Sequence, residues 1–297
     1  MKEITKEITK DILKDIYKKR LTDVRKHEFG LLLVIGGSEF YSGSPAFSAM
    51  AAFKAGADMV RIIAPKRAAD IIASFSPNLA AYPLEGSHLI KKHLVTLITM
   101  TESAKISSKG KTAIVIGGGM GRTKETQEVI LEYLSQSSIP VIIDADAIYA
   151  IEKNPEIIFN KPFLITPNLY EFFVLTKKEI RSLSEEERAK VVYEEAARLK
   201  TTILLKGETD IISNGNEIAL NKITSFYLTK GGCGDSLAGI CGALAARGID
   251  LFTAAQAAAF INVRAGQIIE QKQKEGLLAT DLIEAIPEAI NREVFET

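Results

Sequence analysis

Cysteine and histidine are scarce in this chain, with two and three copies among 297 residues. Cys233 and Cys241 lie eight positions apart around one expected helix. That spacing suits neither a disulfide framework nor a paired-cysteine metal site, and it points to a reducing compartment. His27, His88 and His93 form no HExxH pattern, so zinc chemistry is not expected. Any metal is expected to be Mg²⁺ held by oxygen.

Excess charge is missing too. Lys+Arg and Asp+Glu each total 37, so the formal net charge is zero. No global field exists to hold a polyanion, and nucleic acid is not an expected partner. No apolar run reaches the roughly 18 to 20 residues of a membrane span. The N-terminal "MKEITKEITKDILKDIYKKR" has no signal-peptide core. A cytoplasmic protein without a membrane partner is the expectation.

What the chain does contain is ordinary for a soluble protein: 46% hydrophobic and 25% charged residues. Ile4, Ile8, Ile12 and Ile16 recur every four residues among charged ones. The spacing predicts an amphipathic helix within residues 1–25 that docks on the core or on a second copy. Its mixed charge argues against a membrane-surface helix. From residue 31 onward, "LLLVIGG", "MVRIIAP", "TAIVIGGG", "PVIIDAD", "PFLITPN" and "TTILLKG" alternate with helical patterns. Continuous apolar strands between helices predict an α/β fold of three layers, a largely parallel sheet with helices on both faces. No linker divides residues 26–297, which read as one domain. Ser184 stands three residues before Glu187 in a capping-box spacing. Two closing helices are expected over 250–270 and 280–290, the second capped by Thr280 or Asp281.

In open α/β sheets, ligands bind beyond the carboxyl ends of the strands, where the unusual residues of this chain collect. In "TKGGCGDSLAGI", Gly231, Gly232, Cys233 and Gly234 lead into a helix near Asp235. Glycine-rich backbone at a helix N-terminus can turn consecutive N–H groups toward an anion. Asp235 is then either a helix N-cap or a general base beside a phosphate. "IGGGMGRTKE" lacks the third glycine of GxGxxG, and the Gly110-Lys111-Thr112 run precedes a strand, so neither a Rossmann fingerprint nor a P-loop is present. Asp144 and Asp146 end one strand as caps or metal-positioning carboxylates. Asn168 and Glu171 follow the next strand, and Lys206 with Gly207 closes another, either along a nucleotide or as a hairpin turn.

Six stretches, in order, resemble the ribokinase-like superfamily and within it the ADP/ATP-dependent NAD(P)H-hydrate dehydratases. They are "HEFGLLLVIGGSEFYSGSPAFSAMAAFKAGADMV", "IGGGMGR", "VIIDADAI", "TPNLYEF", "LLKGETDII" and "KGGCGDSLAGI". The resemblance implies a lyase of metabolite repair, in which hydrated NADH or NADPH is returned to NAD(P)H by phosphorylation of its hydroxyl and elimination of phosphate. It implies Asp235 as the base, with the amides of Gly232, Cys233 and Gly234 steadying the phosphoryl group. Nucleotide contacts would fall on Lys206, Gly207, Glu208, Thr209, Asp210 and Gly234, with ADP or ATP as donor. Hydrate contacts would fall on Ser44, Gly119, Asn168 and Asp235, and Asp144 and Glu171 would organise water and Mg²⁺.

Two departures stand out. "TPNLYE" replaces the dehydratases' TPHPGE, and Cys233 replaces a threonine of the GTGD-type motif. Asparagine at 168 looks more like the thiazole, pyrimidine and sugar kinases of the same superfamily, which sets a small-alcohol kinase as the alternative function. A non-catalytic nucleotide sensor is disfavoured by the intact Gly-Cys-Gly-Asp seam. The residues ahead of the resemblance suffice for one helix, so an epimerase acting on the same metabolite is expected as a separate protein. A homo-oligomer is also expected.

Overall fold

The computed structural model describes residues 5–20 and 22–295. Its centre is a ten-stranded sheet. In chain order the elements are β1 (Thr5–Glu7), α1 (Asp11–Ile16), β2 (Leu31–Ile35), α2 (Gly43–Lys54), β3 (Met59–Pro65), α3 (Lys66–Phe75), β4 (Ala80–Leu84), α4 (Leu94–Ser107), β5 (Thr112–Ile116), α5 (Lys124–Gln136), β6 (Val141–Ile143) and α6 (Asp146–Ile151). There follow β7 (Phe163–Ile165), α7 (Leu169–Thr176), α8 (Glu185–Leu199), β8 (Thr202–Leu205), β9 (Asp210–Ser213), β10 (Ile218–Asn221), α9 (Cys233–Ala246), α10 (Leu251–Gln273) and α11 (Ala279–Val294).

The strand order is β1-β10-β9-β8-β7-β6-β5-β2-β3-β4. Only β9 runs against its neighbours β8 and β10; the other pairs are parallel. All six expected strands form. β4 was not apparent in the sequence because "AAYPL" has a proline, which an edge strand tolerates.

Alternation along each strand divides the core between the two faces of the sheet. Leu32, Val34 and Val115 pack toward α2, α9, α10 and α11. Leu31, Leu33, Ile35, Ile114 and Ile116 share the opposite layer with residues of α4 through α8. The Ala/Gly run of α9 is buried along its length because it presses against both α2 and the sheet. A Cβ on Gly239 would stand 2.2 Å from the Ser48 carbonyl oxygen, so only glycine permits that approach. Among the described residues, no helix is long and apolar enough to cross a membrane.

The N-terminal segment departs from expectation. Ile4 lies outside the described residues. Thr5–Glu7 is a strand paired in parallel with Ile218–Leu220, and the helix is confined to Asp11–Ile16. The open edge of β10 offers backbone partners that the local helical pattern does not. Ile8 and Ile16 are nevertheless buried as the periodicity required. The Ser184–Glu187 capping box forms as expected. At the last helix, Asp281 accepts a hydrogen bond from the backbone N–H of Leu278, the N-cap residue, and Thr280 is already inside the helix.

Candidate active site

The sheet places β5 and β2 side by side, and the chain leaves them toward opposite flanks. That reversal opens a crevice at their carboxyl ends. Gly36 and Gly37 leave β2, Gly117 to Gly119 leave β5, and the Gly37 N–H donates to the Gly118 carbonyl at 2.8 Å. The floor is therefore bare backbone, which lets side chains from α2 and α9 come close.

Asp235 enters from α9. Gly232 is the N-cap, with φ of 96°, a left-handed conformation that favours glycine. Asp235 stands three residues beyond it and makes no capping bond, so the N-cap alternative fails. Its carboxylate crosses to α2 instead, where Ser44 Oγ donates to Oδ2 at 3.0 Å. Ser48 Oγ holds the Asp235 carbonyl at 2.9 Å. A Cβ on Gly118 would lie 2.7 Å from Asp235 Oδ1, so a side chain there would displace the carboxylate.

Electrostatics mark Asp235 further. Burial pushes its carboxyl up to about 7, and Asp144 adds to the rise, while the Ser44 hydrogen bond and Lys206 pull it back. A carboxylate poised near neutrality suits proton abstraction at physiological pH. Burial, helped by Asp235, also pushes the Cys233 thiol up to about 11, so it stays protonated. The Cys233 N–H donates to the Lys230 carbonyl at 3.3 Å. The anion hole expected from Gly232, Cys233 and Gly234 thus loses one of its amides.

Lys206 is the cation of the crevice. Its ammonium lies 2.9 Å from Asp144 Oδ1 and 3.8 Å from Glu171 Oε2. A Cβ on Gly234 would be 3.4 Å from the same nitrogen. Burial opposes its charge, but Asp144 and Glu171 outweigh burial and raise its pKa. Asp144 also accepts from Thr166 Oγ1 at 2.7 Å. Glu171 is raised by burial and by Asp144, with Lys206 opposing. Asp146 serves the loop rather than the crevice: it accepts the Gly121 N–H at 2.9 Å and pairs with Arg122 at 2.8 Å. Among the described residues, no three His, Cys, Asp or Glu side chains surround a common cation position.

Asn168 caps α7. Its Oδ1 accepts from the Tyr170 and Glu171 amides at 2.9 Å, and Glu171 Oε2 accepts the Asn168 N–H at 2.8 Å. This reciprocal box gives the asparagine and the glutamate of "TPNLYE" a local folding role.

A cavity of about 580 Å³ adjoins the site. Lys206, Gly207, Glu208, Asp210, Gly234 and Asn168 line it, which brings together most of the residues expected around a nucleotide. Thr209 turns away, donating to Glu185 at 2.7 Å beside an adjoining cavity of about 310 Å³ that shares Lys206, Gly207 and Glu208. Asp210 is buried in the β8–β9 turn, accepting from the Gly207 N–H and Asn221 Nδ2, both at 3.2 Å. Its carboxyl is pushed up to about 6 by burial. The hairpin alternative and the cavity wall are the same piece of chain. Sequence reasoning missed Phe226, Leu228 and Asn262 on this wall. Asn262 is buried with Oδ1 unpartnered among the described residues. Its signal was present as the lone amide in "AAAFINV".

Residues 32–288 match the family described as NAD(P)H-hydrate dehydratase. The chain belongs to that family. It is 38% identical over 281 residues to the bifunctional NAD(P)H-hydrate repair enzyme Nnr of Pyrobaculum aerophilum, covering 94% of this chain and 54% of that protein. To the ADP-dependent (S)-NAD(P)H-hydrate dehydratase of Nitrosopumilus maritimus it is 34% identical, covering 90% of each. The chain thus spans about half the length of the bifunctional relatives it matches and most of the length of the single-function one. The fold is ribokinase-like: the ADP/ATP-dependent NAD(P)H-hydrate dehydratase of Bacillus subtilis, co-crystallised with ATP and Mg²⁺, superposes with a TM-score of 0.77 at 22% identity, covering 97% of this chain and 98% of that one.

Proposed function

We propose that this dehydratase-family chain converts hydrated NADH or NADPH back to NAD(P)H, with ADP or ATP as phosphoryl donor. The observation that carries the reading is the placement of Asp235. Its carboxylate meets Ser44 and Gly118, and the preceding residue, Gly234, lines the 580 Å³ cavity together with Lys206. A base between an alcohol site and a phosphate site is what phosphoryl transfer requires, since that chemistry rests on positioning and charge stabilisation.

In this mechanism the hydrate lies over Gly118 and Gly119, with Ser44 and Asn168 at its edges, and its ring hydroxyl reaches Asp235. The carboxylate accepts the hydroxyl proton as the oxygen attacks the terminal phosphorus of the donor. The bond to the nucleotide's bridging oxygen breaks, and the nucleotide leaves with one phosphate fewer. Hydroxide, a poor leaving group, has become phosphate. Its elimination, with a proton lost from the adjacent ring carbon, restores the double bond. The net change is dehydration coupled to nucleotide hydrolysis.

Lys206 and the free amides at the start of α9 face the transferring phosphate, where fixed positive charge is most effective. Gly207 and Glu208 border the nucleotide. Asn262 offers an amide for hydrogen bonding inside its cavity. Asp144, Glu171 and Asp235 set three carboxylates around Lys206, and the Asp235 carboxyl is raised first by burial and then by Asp144. Mg²⁺ would enter on the nucleotide phosphates, with the two carboxylates of Asp144 and Glu171 holding it directly or through water. When bound, the ion would withdraw charge from the phosphoryl group. An epimerase acting on the same metabolite would bring both hydrate epimers within reach.

Incubating the protein with NADH hydrate, Mg²⁺ and either nucleotide tests the reading. Recovery of dihydronicotinamide absorbance with one phosphate released per turnover supports it. Accumulation of a stable phosphorylated alcohol, with no absorbance regained, identifies a kinase instead.

A further inference from the structure

A third cavity, of about 360 Å³, lies where α9 ends rather than where it begins. Arg247, the C-cap of α9, stands twelve residues after Asp235, about 18 Å along the helix axis. Among the described residues no acidic side chain lines this cavity, whereas Lys18, Lys19, Arg20, Lys54 and Arg247 do. Two of these cations are neutralised: Arg20 by Asp58 at 3.2 Å and Lys54 by Glu284 at 2.7 Å. Lys18 and Lys19 have no acidic partner among the described residues.

Arg247 is the telling member. One guanidinium nitrogen, Nη2, donates to the Ile16 carbonyl at 2.8 Å, while Nη1 is buried without a hydrogen-bond partner among the described residues. Its Cζ lies 4.8 Å from the centre of the Tyr17 ring and 5.3 Å from that of Phe29, and the Arg20 Cζ covers Phe29 at 3.6 Å. Both guanidinium groups converge on Gly56, where a Cβ would stand 3.5 Å from Arg247 Nη1 and 3.8 Å from Arg20 Nη2. An orphaned donor on a buried cation is costly unless something satisfies it. Holding the helix C-terminus and the Ile16 carbonyl explains one edge of Arg247 but not the other.

We propose that this cavity binds a small phosphate ester carrying an apolar or aromatic body. Three cations without an ion-pair partner among the described residues, Lys18, Lys19 and Arg247, suit a dianion with three acceptor oxygens better than a single carboxylate. Pro287, Ile290 and Phe295 supply an apolar wall for the body of the ligand. The volume lies in the range of small-molecule sites, and the concave shape favours a free metabolite over a lipid headgroup. The site does not depend on the dehydratase reading, because it shares no residue with the crevice at Asp235.

Calorimetric titration of the full chain with phenyl phosphate, inorganic phosphate and phenol at low salt tests this. Saturable binding of phenyl phosphate is expected, with inorganic phosphate weaker and phenol undetectable. Lys18→Gln/Lys19→Gln, which changes only exposed side chains, should weaken binding about tenfold or more. Arg247→Lys should weaken it as well, and Asp235→Asn should leave it unchanged. The proposal is overturned if phenyl phosphate does not bind at millimolar concentration, if the lysine double variant binds like wild type, if Asp235→Asn abolishes binding, or if only phosphatidic acid vesicles bind.

Discussion

Ser44 and Asp235, 191 positions apart in sequence, meet at 3.0 Å across the crevice, with the hydroxyl of α2 donating to the carboxylate of α9. This bond favours the ionised acid and opposes the burial that raises its pKa. Ser44→Ala removes the opposition. The acidic limb of kcat/KM, expected near pH 7 in the wild type, should move to higher pH by up to about one unit. A pH–rate profile of the two proteins checks this, and an unmoved limb would separate Ser44 from the titrating group.

The same buried acid affects stability with a definite sign. Its folded pKa of about 7 lies above the ordinary 3.8, so the unfolded chain ionises first as pH rises. Native stability falls between about pH 4 and pH 7 and then levels off. Asp235→Asn escapes this loss. Thermal melts should show the variant more stable than wild type above pH 7, by a few kcal/mol at most, with the gap closing below about pH 4. A gap that widens toward acid would contradict the assignment.

Gly118→Ala tests the close approach. Its Cβ would meet Asp235 Oδ1 at 2.7 Å and the Ser44 Cβ at 2.9 Å, so the two side chains must separate. Turnover should fall by about 10²-fold, the scale of a lost general base, while the melting transition remains cooperative. Unchanged kcat would show that the carboxylate has room to spare.

Lys206→Met leaves Asp144 and Glu171 without their shared cation. Removing one member of a buried ion cluster costs about 3–5 kcal/mol in comparable settings. Lower thermal stability and weaker nucleotide binding should appear together, measured by melting and by calorimetry. Loss of stability alone would make Lys206 structural only.

The sheet was legible because its parallel strands are buried on both faces and read as continuous apolar runs. β9, β10 and β1 were not, since short strands at a mixed edge depend on partners far away in the chain. Asp235 was legible through its glycines, but the Ser44 hydroxyl and the Gly118 backbone that hold its carboxylate come from distant segments and were not. Phe226 and Asn262 escaped notice because cavity walls are assembled from segments with no local motif. Asn168 carried a local signal, a capping box, beside its likeness to the kinases. The basic cavity was hidden by composition, since a net charge of zero conceals five cations gathered in one place.

The base role of Asp235 is tested most directly by following dihydronicotinamide absorbance and phosphate release from NADH hydrate, for wild type and Asp235→Asn, at saturating nucleotide and Mg²⁺. The wild type should restore the absorbance and release phosphate in equal amounts, while the variant binds nucleotide but loses about 10²-fold or more in turnover. Wild-type turnover in Asp235→Asn would contradict the account.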